Sequence, residues 1–196
     1  STLSSSSAAS DVYKRQLLAT AAAELIAARA RYAERLAEAL EAVLATSGLD
    51  FPKIALRYKP SPRKGLEGPE AVRGVLERVA DRELARGYPL VGPHRDDMEI
   101  TWGGHPVGSV ASAGERKALS LLLSAAQGRV LEAADRRPVY LLDDLDAELA
   151  RGNLERLWGV FPTTGQVLAT SNRPGVWEGL ESDFRWSLSG GRLESA

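Results

Sequence analysis

The run Pro138-Val-Tyr-Leu-Leu-Asp-Asp144 limits what this chain can fold into more than any other segment. An apolar stretch that ends in two adjacent carboxylates reads as a buried parallel strand with acids at its C-terminal tip. In open α/β sheets that tip is where ligands bind. Two neighbouring carboxylates repel each other, so a purely structural reason for the pair is weak. One of them can hold Mg²⁺ and the next can orient a water, which is the chemistry of nucleotide hydrolysis. On this reading Asp143 is the magnesium carboxylate and Asp144 the catalytic, water-orienting one. The plain alternative is a strand that ends in a polar loop.

About thirty residues earlier, Ser112-Ala-Gly-Glu-Arg-Lys117 opens a long apolar helix. Ser112 and Glu115 fit the capping box S-x-x-E, which by itself is enough to start a helix. The same N-terminus, with Ser112 and the backbone N–H groups near Gly114, is also suited to an anion, and Glu115 and Lys117 complete the candidate cofactor-binding residues. Gly114 would let a phosphate approach the main chain closely. A phosphate-binding loop of the form G-x-x-x-x-G-K-[ST] is absent from the sequence.

The bulk numbers remove several function classes. The 196 residues, 44% hydrophobic and 26% charged, suit one large globular domain or one domain with an accessory lobe. A net charge of -1 excludes a chain that is basic throughout. With no Cys there is no disulfide framework or thiolate metal site, and two His are too few for a His-rich one. No apolar run reaches the roughly 18 residues a membrane span requires, so a cytoplasmic protein is expected. Arg outnumbers Lys by 20 to 5, as in a GC-rich genome or a thermophile.

Residues 1–16 differ in character from the rest of the chain. The first ten lack periodicity and read as a disordered leader. Asp11-Val-Tyr-Lys-Arg-Gln16 back-translates as GAT GTG TAT AAG AGA CAG, which resembles a transposon-end adapter used in sequencing libraries. The expectation is that residues 1–16 are translated adapter and that the natural frame enters near Leu17. Different codons at 11–16 would leave a natural Ser-rich tail.

Residues 17–86 read as part of a helical lobe. Leu25, Tyr32, Leu36, Leu40 and Leu44 fall on one face of a helix over 17–47, ended by Gly48. Alternation at Ile54, Leu56 and Tyr58 predicts a half-buried strand. Pro69 opens a second helix with Val72, Val75, Leu76, Val79 and Leu84 as its stripe, and Gly87 ends it. Composition changes there. Residues 87–196 read as strands alternating with helices: 98–102 into the Gly103-Gly104 turn, a helix over 114–134, a strand over 139–143, a helix near 154–158 and a strand over 166–170. Residues 184–188 and a terminal strand close the chain around Gly190-Gly191. Such alternation implies an α/β fold with a mostly parallel sheet and flanking helices.

Lys53, Arg57, Lys59, Arg63 and Lys64 form a run without an acid among them. This is either a solvated face or a phosphate-contacting strip for DNA. Gly92-Pro-His-Arg-Asp-Asp97 carries His94 and Arg95 beside Asp96 and Asp97; taken alone it reads as a surface salt-bridge cluster.

In this order and spacing, Ser112–Lys117 and Leu-Leu-Asp-Asp144 resemble the signature and Walker B motifs of ABC-type ATPases. Together with Gly92–Asp97, Ala147-Glu148-Leu149 and the Gly165–Thr170 strand, they resemble the C-terminal half of the RecF family, over about 180 residues. The resemblance implies an ABC-type ATPase lobe built from both ends of a longer chain, with a helical lobe inserted between. It implies ATP and Mg²⁺ as cofactors and an ATP-dependent homodimer in which Ser112 meets the partner's γ-phosphate. It also implies action on gapped DNA with RecO and RecR to direct RecA, within the SOS response. Thr170 stands at the switch position, where a hydroxyl resembles RecF. Glu148 lies in the loop that crosses the dimer interface, and Ala150 replaces that loop's usual Asp. Without a phosphate loop the chain is expected to be inactive alone. Two other readings stay open: another SMC-class repair or chromosome ATPase, which would carry long heptad arms, and a non-catalytic interaction module.

Overall fold

The computed structural model describes residues 5–63, 66–161 and 165–195, so Lys64 of the basic run lies outside the described residues. Contacts divide the chain into two units, Ser1–Ala42 with Asp50–Ala111, and Val43–Leu49 with Ser112–Ala196.

The first unit is built on α1 (Ser5–Ser47) as far as Ala42 and on α2 (Pro69–Arg86). Helix α1 begins inside the segment read as a disordered leader, so that reading is corrected for residues 5–16. Extending an existing helix adds one hydrogen bond per residue fixed, a far smaller cost than nucleating one. The buried seam of α1 steps by sevens through Ala19, Ile26, Ala33 and Leu40, flanked by Ala22 and Leu36. Leu25, placed on the apolar face by its spacing, is 43% exposed. Alanines line the seam instead, because small side chains let a neighbouring helix approach. Ala19, Ala22 and Ala23 accordingly form one cluster with Val72 of α2, and Leu66 and Leu76 pack against it. Helix α2 has the predicted ends: Pro69 in its first turn and Gly87 at φ 74°, whose N–H donates to the Glu83 carbonyl. Leu84, assigned to the stripe, is 85% exposed in the last turn.

An antiparallel sheet completes this unit: β1 (Ile54–Lys59), β2 (Asp97–Trp102) and β3 (His105–Pro106), in that order. Gly103 and Gly104, at φ 59° and 89°, make the predicted hairpin turn. Leu56 pairs with Ile100, and Phe51 packs on Trp102 at 4.7 Å between ring centroids. The sequence reading started the alternating α/β region at Gly87. Contacts group residues 87–111 with the first unit, because β2 pairs backward with β1. A one-turn helix, α3 (Val107–Val110), ends the unit.

The second unit holds α4 (Ala113–Glu132), β4 (Val139–Leu142), α5 (Arg151–Trp158), β5 (Gln166–Ala169) and the hairpin β6 (Trp186–Ser189)–β7 (Arg192–Ser195). Strands β4 and β5 are parallel, with Leu142 opposite Ala169. One face of β4 points inward through Tyr140 and Leu142; Val139 and Leu141 on the other face are exposed. Helix α4 buries Leu119, Leu122, Ala125 and Ala126 and packs with α5, whose Leu154 and Leu157 are almost fully buried.

Candidate nucleotide site at the ends of the parallel strands

The C-terminal ends of β4 and β5 lie side by side, and their loops carry the candidate site. Pairing continues past both strands: the Thr170 N–H donates to the Leu142 carbonyl at 2.9 Å, and the Leu145 N–H to the Thr170 carbonyl at 3.0 Å. This fixes the Thr170 side chain beside the two acids. Its hydroxyl donates to Asp143 Oδ1 at 2.5 Å and accepts the Asp144 N–H at 3.1 Å. Both carboxylates are solvent-exposed.

Asp144 and Glu148 adopt left-handed backbone, φ 45° and 65°. Such residues cost free energy and persist where the surroundings over-determine them, a pattern that clusters at functional sites. The loop from Asp143 to Ala150 is thus shaped against local preference.

The N-terminus of α4 meets the same loop. Ser112 and Glu115 form the predicted capping box: the Glu115 N–H donates to Ser112 Oγ at 3.3 Å, and the Ser112 N–H to Glu115 Oε2 at 2.7 Å. Hydrogen bonds from the Ser112 hydroxyl and N–H hold the Glu115 carboxyl below its ordinary pKa. Gly114 lies against the loop; a Cβ there would sit 2.7 Å from the Glu148 carbonyl oxygen. The sequence reading tied this glycine to a bound phosphate. The structure gives it a second role, the close packing of α4 on the loop that follows the acids. Lys117 Nζ points to the Asp143 carbonyl at 3.4 Å.

Asp146 and Arg173 escaped the sequence reading. Asp146 is 3% exposed, and Arg173 Nε donates to its carboxylate while Nη2 donates to its carbonyl at 2.9 Å. Burial pushes this carboxyl up, but the Ser171 hydroxyl, the Arg173 guanidinium and a backbone N–H outweigh it and hold the pKa below normal. A signal was present: Leu142 pairs with Ala169, and Asp146 and Arg173 each follow their strand end by the same number of residues.

Magnesium held through nucleotide phosphates needs only one or two protein ligands, because it keeps waters and phosphate oxygens for the rest. An exposed Asp143 with a neighbouring hydroxyl fits that role. No cluster of three or more His, Cys, Asp or Glu suited to a metal occurs among the described residues.

The other candidates belong to the first unit. The Asp96 side chain is a buried hub rather than part of a surface salt-bridge cluster. It accepts from Arg29 Nη1 at 2.8 Å, from the Ser61 N–H at 2.9 Å and from the Tyr58 hydroxyl. Arg29 lies beside the seam of α1, seven residues before Leu36, with its side chain 41% exposed, and Asp96 neutralises it there. His94, Arg95 and Asp97 are exposed. The basic run gains acids from the neighbouring strand: Arg57 is opposite Glu99, Lys59 is opposite Asp97, and Lys59 forms an ion pair with Glu99. Lys53, Arg57 and Arg63 remain exposed without an ion pair among the described residues.

No protein-family model matches the sequence. A curated relative, the DNA replication and repair protein RecF of Frankia alni, is 35% identical over 184 residues, covering 89% of this chain and 47% of the relative. The chain belongs to the RecF family. RecF of Acidothermus cellulolyticus is 34% identical over 160 residues, 78% of this chain and 43% of that protein. The chain therefore spans about half the length of the curated RecF proteins it matches, and it corresponds to their C-terminal part. Among solved structures, the recombination mediator RecF-ATP of the RecFOR pathway superposes with a TM-score of 0.72 at 21% identity, over 93% of this chain and 49% of that one. A structure concerned with ATP-driven dimerisation and DNA-stimulated activation of SMC ATPases gives 0.50 at 15% identity, over 87% and 88%. These likenesses establish the fold: α/β, as in the C-terminal half of an ABC-type ATPase lobe with part of a helical lobe. No helix among the described residues is long and apolar enough to cross a membrane.

Proposed function

We propose that this chain is the C-terminal part of a RecF-type DNA-repair ATPase of the cytoplasm. The observation that carries the reading is the grouping of Asp143, Asp144 and Thr170 at the tips of two parallel strands, in a loop against which the N-terminus of α4 packs. Asp143 would hold Mg²⁺ beside the nucleotide phosphates, and Thr170 fixes that carboxylate. Asp144 would accept a proton from, and orient, the attacking water. The phosphate cradle would come from another part of the protein. Ser112, at the helix end, would face the γ-phosphate held by a second copy, so that ATP drives dimerisation. RecO, RecR and RecA are the partners proposed for the intact protein, and gapped DNA is its substrate. Exposed Lys53, Arg57 and Arg63 are the members of the basic run left for phosphate contact.

The test uses the full-length protein. Asp144→Asn should keep ATP binding and slow hydrolysis by about 100-fold or more, the usual cost of losing a positioned base. Hydrolysis at the wild-type rate would remove Asp144 from the chemistry. The chain on its own should show no Mg²⁺-dependent turnover above an Asp143→Ala control.

A further inference from the structure

We propose that the Arg173–Asp146 pair is a positioning device that holds the strained acid-bearing loop in its working shape; this rests on the ATPase reading above. Neither residue needs to touch the nucleotide. The segments 143–146 and 170–173 run on from paired parallel strands and are cross-linked at both ends. At the near end, Thr170 grips the Asp143 carboxylate and the Asp144 N–H. At the far end, the guanidinium of Arg173 grips the side chain and the main-chain carbonyl of Asp146. Arg173 is itself held, since its N–H donates to Ser171 Oγ at 3.0 Å.

Asp144 lies between these two clamps with its backbone at φ 45°. A left-handed non-glycine residue relaxes unless both flanks are fixed. Thr170 fixes one flank, and the Arg173–Asp146 pair fixes the other with Leu145 alone between. Stability by itself gives little reason for the pair. Asp146 is buried but the Arg173 side chain is 60% exposed, and solvent screening leaves such an ion pair little net stabilisation. What the pair supplies is direction: two donors in a rigid fork, aimed at one residue.

The experiment uses the full-length protein with the double substitution Asp146→Ala/Arg173→Met, which removes both charges and strands neither. Arg173→Lys is added, which keeps the charge and loses the fork. Folding is checked by thermal unfolding, nucleotide affinity with a fluorescent ATP analogue, and turnover across a Mg²⁺ titration. A positioning role predicts a folded double variant with unchanged analogue affinity. Its kcat should fall and its half-saturating Mg²⁺ rise, each by about 10-fold or more, as for other groups that orient metal-binding carboxylates. Arg173→Lys should fall between the two. A folded double variant with wild-type kcat and Mg²⁺ dependence overturns the proposal, and so does one that no longer folds, which would make the pair purely structural. A parent protein without Mg²⁺-dependent turnover would overturn the ATPase reading itself, and the clamp with it.

Discussion

Tyr140 carries a polar atom with nowhere to go. Its hydroxyl is buried without a hydrogen-bond partner among the described residues, and it occupies the space a Cβ on Gly128 would fill, at 1.5 Å. An unmade hydrogen bond on a buried group costs about 1–3 kcal/mol. Tyr140→Phe should therefore stabilise the chain by about 1 kcal/mol and raise Tm by about 2–4 °C. A lower Tm would mean that the hydroxyl has a partner after all. Tyr58 is the opposite case. Burial, and then its hydrogen bond to Asp96, pushes its phenol up to about 12. The folded pKa is raised, so this contribution to stability is complete below the ordinary tyrosine pKa of about 10 and is lost as pH rises through the folded value. Spectrophotometric titration should lose a late-ionising phenol in Tyr58→Phe; an unchanged titration curve would refute the assignment. At this scale the sequence was readable where chemistry forces composition. Asp143, Asp144 and Thr170 follow apolar runs, and the ends of those strands bring them side by side. Asp146 and Arg173 were hidden because their partnership exists only once the strand register is known.

Among the elements, α4 carries the sharpest constraint. Its first turn approaches the loop after β4 so closely that Gly114→Ala must shift one of them, since the obstacle is a backbone carbonyl. Overpacking of this kind costs about 1–3 kcal/mol. Gly152, in α5, has nothing within 4 Å of where its Cβ would be. Gly152→Ala should follow helix propensity instead and gain up to about 1 kcal/mol. Thermal unfolding of the pair separates the effects: both variants moving the same way would contradict the close contact at Gly114. Element ends were legible wherever residue type sets backbone conformation, as at Pro69, Gly87, Ser112 and the Gly103-Gly104 turn. The seam of α1 was not. Large apolar residues draw attention on a helical wheel, but here alanines make the contact, and an arginine beside the seam meets Asp96.

For the molecule as a whole, composition and contacts divide the chain at different places. The change at Gly87 is real in residue usage, yet pairing of β1 with β2 draws residues 87–111 into the first unit. Antiparallel pairing across about forty residues of intervening chain leaves no local trace, whereas the parallel β4–α5–β5 unit announces itself by its alternation.

The outward face of β4 and β5 has a practical consequence. Val139 is 57% exposed, Leu141 75% and Leu168 48%, on a sheet of two strands among the described residues. Unpaired strand edges beside contiguous apolar side chains are templates for self-pairing. Purified alone, the chain should therefore be sticky. Light scattering should grow with concentration, and Leu141→Lys should suppress that growth without lowering Tm. Scattering that Leu141→Lys leaves unchanged would place the adhesion elsewhere. Handling the isolated polypeptide thus becomes a colloidal problem located on three side chains, and one surface charge is the first remedy to try.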